Sequence, residues 1–159
     1  GGYLSQSANG TFDNLNAMNG KGTAADGIEY LFDNLMSTSL NEPGVMYPLL
    51  AEKATYDPKN TAYVIYHLNP KARFSDGSAV TAEDVKFTYE YYRDGPANRH
   101  THHVSEVPQI NEINIEEDGK TVTFECAYAC PSLQTITFAD LPILPEHIWS
   151  NVENPRKYV

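Results

Sequence analysis

His100, His102 and His103 stand close together with Glu106 just beyond, and they make the chain's one metal-like grouping. Imidazoles at such spacing can bind a transition metal. The run follows Pro96-Ala97-Asn98-Arg99, however, and that composition reads as a surface loop. A solvated loop is the better reading, with the three histidines kept only as weak metal candidates. The two cysteines form a C-x-x-x-C run, Cys126 to Cys130, followed by Pro131. A turn between them would bring their Cα atoms within bridging range, whereas an extended strand would hold them too far apart. A disulfide and two free thiols both remain open. Without a second thiol pair a zinc site is not indicated, and neither sulfur is marked as a nucleophile.

Carboxylates are plentiful, so glycosidase-like acid and base chemistry is the next candidate. It needs two carboxyl groups facing each other across a cleft, one with a raised pKa. Glu116, Glu117 and Asp118 instead precede Gly119 between two apolar-alternating segments, Gln109 to Ile115 and Thr121 to Cys126. An Asp-Gly pair in that position predicts a hairpin with a solvated turn. The chain also lacks G-x-S-x-G, the P-loop, G-x-G-x-x-G and H-E-x-x-H. Nothing in it asks for catalysis or a cofactor. Among the eleven tyrosines, Tyr89 and Tyr92 share a helical face with Val85 and read as core, while Tyr91 points elsewhere and reads as the more exposed ring.

The block from Tyr63 to Tyr92 holds the clearest structural grammar. Ala62, Val64, Tyr66 and Leu68 fall on one face of an extended strand, because side chains alternate. Pro70 ends the ladder, and Ser75-Asp76-Gly77-Ser78 supplies turn residues. Thr81 followed by Ala82-Glu83-Asp84 predicts an N-cap with Asp84 as the capping-box acid, and a helix from Ala82. Lys86 and Glu90 are spaced for an ion pair on it, and Asp94-Gly95-Pro96 stops it. A further helix is expected at about residues 25–36, and Trp149 should anchor the tail after the apolar run Leu141 to Leu144.

With 159 residues and 41% hydrophobic side chains, the chain can bury one good core and carry an appendage. Its net charge of −10, from 21 acidic and 11 basic residues, argues against a nucleic-acid partner. No apolar run approaches the roughly 20 residues that span a bilayer, and any leader is expected to have been removed ahead of Gly1.

One resemblance organises these pieces. The run Phe74-Ser75-Asp76-Gly77, then Val80 to Phe87, resembles the signature region of the family 5 extracellular solute-binding proteins, the oligopeptide-binding subunits of ABC importers. Leu50-Ala51-Glu52 is similar to the family's L-A-E lead-in. Leu141 to Trp149 is similar to its P-I-L-P-x-H-x-W segment, and Phe12 to Asn16 to its D-x-L-N-P segment. Asn69 departs from the pattern, standing where arginine or lysine is common.

The resemblance implies an α/β (α+β) fold of the type II periplasmic binding protein kind. Members run to roughly three or four ordinary domains of chain, so a fragment is implied. Residues 1–47 would open the first lobe, including a strand around Tyr3 to Ala8. Residues 48–159 would form the second lobe, a small mixed or antiparallel sheet with flanking helices. It further implies a receptor that captures a peptide or another small solute and delivers it to membrane permease subunits. The location would be periplasmic or extracellular, with a lipid anchor among the options for the full-length protein. The segment Asn19-Gly20-Lys21-Gly22-Thr23-Ala24 would lie along the cleft floor, its glycines admitting a ligand backbone. A plain loop explains that segment equally well. Nickel-binding members of the family, or a stand-alone interaction module of the same fold, are the alternatives.

Overall fold

The computed structural model describes residues 10–13, 22–23, 25–39, 41–57, 59–94, 110–127 and 141–152. Its centre is a four-stranded antiparallel sheet built from β3 (Ala51–Asp57), β4 (Asn60–Leu68), β5 (Ile110–Ile115) and β6 (Thr121–Cys126), in the spatial order β3-β4-β6-β5. The alternation predicted for residues 62–68 holds in β4, where Val64, Tyr66 and Leu68 are buried. Across the ladder Val64 faces Phe124 and Tyr66 faces Val122, and Ile113 of β5 pairs with Phe124 in turn. One face of the sheet is therefore aliphatic and aromatic, with Tyr66 and Phe124 meeting edge to face at 5.5 Å. Gly119, at φ 63°, makes the β5-β6 turn, and Asp118 accepts from the main-chain N–H groups of Lys120 and Thr121.

Helix α1 (Ala82–Arg93) covers that face, and its start is fixed by the expected capping box. The Asp84 N–H donates to Thr81 Oγ1 at 3.2 Å, and the Thr81 N–H donates to Asp84 Oδ2 at 2.9 Å. Val85, Tyr89 and Tyr92 point inward with at most 1% exposure, and Tyr89 meets Phe124 edge to face at 4.7 Å. Lys86 and Glu90 pair at 3.9 Å on the outer side. At the far end the Asp94 N–H closes on the Glu90 carbonyl, and Arg93 Nη1 donates to the carbonyls of Ile110 and Asn111, tying the helix to β5.

Two expectations need correction. Tyr91 is buried, at 7% exposure: Phe87 and Trp149 pack on its ring, and its hydroxyl donates to the Val152 carbonyl at 3.2 Å. The predicted helix over residues 25–36 is replaced by a 3-10 turn, Ile28–Leu31, and by β1 (Met36–Ser39), which pairs with β2 (Glu42–Pro48). Tertiary hydrogen bonds decide this. The carbonyls of Asp33, Asn34 and Leu35 accept from Ile143, Leu50 and Ala51, so this backbone serves as a sheet rung and cannot close helical bonds. The expected strand around Tyr3 to Ala8 lies outside the described residues.

Candidate functional site

Local turn chemistry builds a cleft where residues 31–33 meet residues 73–76 and 143–148. Phe74 and Gly77 close a tight turn through the Gly77 N–H to Phe74 carbonyl bond, and Gly77 takes φ 89°, as the Asp-Gly pair predicts. Opposite it, the run Leu141 to Pro145 leads into the short helix α2 (Glu146–Trp149). Helix α1 stitches this run down. Thr88 Oγ1 accepts from the Leu144 N–H at 2.9 Å, and Asp84 Oδ1 accepts from the Glu146 N–H at 2.9 Å. The result is a cleft of ≈ 290 Å³ walled by Leu31, Phe32, Leu50, Phe74, Ile143 and Ile148. Asp33, Arg73, Ser75 and Asp76 supply its polar groups.

The electrostatics of the rim centre on Asp76. Its Oδ1 accepts from the Ser78 hydroxyl at 2.6 Å and the Ser78 N–H at 2.8 Å, while Oδ2 lies 2.8 Å from His147 Nε2. The Ser78 contacts, with His147 beside them, hold its carboxyl down at about 2. A group so acidic stays ionised near neutral pH and is no general acid. Ser78 Oγ donates to the carboxylate rather than to the imidazole, so the serine-to-base contact of a catalytic triad is not made. Arg73 Nη1 folds back onto the carbonyls of Pro70 and Ala72. The cleft thus combines apolar walls with charged groups at its edge.

The sequence-predicted site residues are placed unevenly. Gly22 and Thr23 are described and exposed, at a close contact with Asp13; Asn19, Gly20, Lys21 and Ala24 lie outside the described residues. So do His100, His102, His103 and Glu106. Among the described residues, no group of three or more His, Cys, Asp or Glu side chains is arranged to hold a metal. Cys126 is buried at the end of β6 and disulfide-bonded; Cys130 lies outside the described residues. The cleft itself was missed by sequence reasoning. Its signal was present, since Phe74 to Gly77 and Leu141 to Trp149 were both singled out, but only the fold shows that they meet through Asp76 and His147.

Comparison with known proteins places this geometry. The sequence model described as "Bacterial extracellular solute-binding proteins, family 5 Middle" matches residues 45–158. The chain belongs to the family 5 extracellular solute-binding proteins. Among curated relatives, the uncharacterized protein YejA of Escherichia coli is 35% identical over 155 residues, covering 95% of this chain and 24% of YejA. The probable peptide-binding protein YejA of Agrobacterium fabrum is 34% identical over 151 residues, covering 94% of this chain and 23% of that protein. The chain thus spans about a quarter of the length of the curated relatives it matches. In fold it is similar to NikZ from Campylobacter jejuni, solved in complex with Ni(L-His), with a TM-score of 0.68 and 21% identity over 82% of this chain and 25% of NikZ. That likeness confirms the periplasmic binding protein type of fold expected from the sequence, with antiparallel sheets.

Proposed function

We propose that this chain is part of the solute-binding receptor of an ABC importer, one that captures peptides between lobes outside the cytoplasm and delivers them to a membrane permease. The observation that carries the reading is the family match across residues 45–158. The choice of peptides over other solutes rests on the 34% identical relative named as a probable peptide-binding protein. Residues 1–47 then open the first lobe and residues 48–159 form the second. Binding leaves the solute unchanged: closure of lobes around it selects the bound state because the ligand touches both walls. An apolar cleft with fixed charges at its rim and an acid too strong for proton donation suits capture better than turnover.

The test is native mass spectrometry of the protein encoded by the complete reading frame, incubated with a mixed library of unmodified tri- to pentapeptides and followed by calorimetric titration of the species retained. Retained peptides that titrate with a defined stoichiometry are expected. Retention of no peptide, with tight binding of a sugar or a nickel complex in parallel incubations, sinks the peptide assignment. The same peptide titrated into residues 1–159 alone should give little or no heat, because one wall of the cleft is a small part of the contact.

A further inference from the structure

The cleft between residues 31–33, 73–76 and 143–148 carries an unbalanced set of charges. Two acids, Asp33 and Asp76, line it against one base, Arg73, and no lysine lines it. The base is engaged elsewhere: Arg73 Nη1 donates to the carbonyls of Pro70 and Ala72 at 3.0 and 2.7 Å, and among the described residues it forms no ion pair. Asp76 is partly satisfied. Its Oδ1 takes both Ser78 donors, while Oδ2 faces only His147 Nε2 and so keeps one acceptor direction open. Asp33 gives its main-chain carbonyl to the Ile143 N–H at 3.0 Å, but among the described residues its exposed carboxyl group has no hydrogen-bond or ion-pair partner.

A cleft of ≈ 290 Å³ lies at the small end of ligand pockets, which run from roughly 300 to 1,000 Å³, so it holds one side chain rather than a whole peptide. Its interior is apolar, with Leu31, Phe32, Phe74 and Ile148 among the walls, and its unmatched charge is negative. Lysine and arginine carry that combination in complement: an apolar stem that packs on such walls and a cationic head held at the more polar edge. We infer that this cleft is a subsite for a basic side chain of the captured peptide, the stem lying on the apolar walls and the cation meeting Asp33 and Asp76. This rests on the receptor reading proposed above and narrows it to peptides that carry lysine or arginine. An acidic side chain would face two carboxyl groups, and an uncharged stem would leave the Asp33 carboxyl group without a partner. The net charge of −10 favours the approach of such cationic ligands over long range.

The experiment uses the protein encoded by the complete reading frame and a tetra-alanine series in which lysine or norleucine replaces each alanine in turn. Norleucine keeps the stem and removes the cation. At one position at least, the lysine peptide should bind about tenfold more tightly than its norleucine partner at low salt, and the ratio should shrink in 0.5 M salt. In Asp33→Asn/Asp76→Asn that ratio should fall to about one. Asp33→Asn alone, which removes no bond among the described residues, should lower it by about threefold, so the test survives a double variant that fails to fold. Equal binding of lysine and norleucine peptides at every position overturns the inference and leaves the receptor reading standing. So does a lysine preference unchanged in Asp33→Asn and in the double variant, the result expected if another part of the complete protein or a second copy fills the cleft. A wild-type protein that binds none of these peptides, nor any of the peptide library, overturns the receptor reading and the inference with it.

Discussion

Asp76 shows how one side chain can hold a turn and a distant helix together. Its Oδ1 closes the turn onto Ser78, and its Oδ2 reaches His147 in α2, whose ring also packs on Phe74 at 6.3 Å. The carboxyl is held at about 2, below its ordinary 3.8, so the folded state binds this proton more weakly than the unfolded chain does. The sign follows from linkage: the contribution is fully present above pH 4 or so and is lost as the pH falls toward 2. Asp118 is depressed in the same direction, chiefly by the Thr121 hydroxyl, and adds to the same acid-side loss. The effect should be small, because Asp76 and His147 are about half exposed and screened. Thermal midpoints measured from pH 6 to pH 2 should fall less steeply for Asp76→Asn than for wild type, the two curves converging at the acid end. Parallel curves would show that the contact contributes nothing.

Helix α1 is where the reach and the limit of sequence reading both show. Its start was legible because a capping box is local: Thr81 and Asp84 satisfy each other within one turn. The inward positions Val85, Tyr89 and Tyr92 were legible from helical spacing alone. Tyr91 was not, because what covers it is Trp149, brought in from a separate stretch of chain. The segment over residues 25–36 failed for the same reason. Ile28, Leu31, Phe32 and Leu35 have helix-compatible spacing, but the bonds that claim Asp33 to Leu35 come from residues 50, 51 and 143. The cleft was illegible because its walls belong to segments far apart in sequence. Asp84 also carries more than its cap: it is nearly buried and its second oxygen holds the Glu146 N–H, the first turn of α2. Asp84→Ala keeps the Asp84 N–H to Thr81 Oγ1 bond but leaves the Glu146 and Thr81 donors without their acceptor. It should cost about 2–4 kcal/mol in urea unfolding, against about 1 kcal/mol for an isolated cap. A loss no larger than that of Thr81→Ala would mean that the Asp84 to Glu146 contact adds nothing.

For the molecule as a whole, the packing does not stop at the proposed boundary between lobes. Leu35 and Met36, from the opening segment, are buried in the same cluster as Val64, Phe124 and Leu144. The backbone on either side is equally committed: the Ala51 N–H donates to the Leu35 carbonyl at 2.9 Å, and Asn34 bridges to Pro142. Residues 33–36 therefore act as a strap between the start of β3 and the run leading into α2, and residues 31–33 at its leading end line one wall of the cleft. If the strap and the sheet share one core, they must unfold together. Leu35 has no exposed surface, so Leu35→Ala should destabilise the chain by about 2–5 kcal/mol. The loss should register equally in Trp149 fluorescence and in far-ultraviolet circular dichroism, as a single transition moved to lower denaturant with its slope unchanged. The two probes report from different places, since Trp149 sits in α2 against Tyr91 and the dichroism comes largely from the sheet and α1. A Trp149 transition that stays at the wild-type midpoint while the dichroism shifts would show that the strap and cleft wall melt separately. The cleft would then be a surface assembled by closure rather than one already present in the unliganded chain.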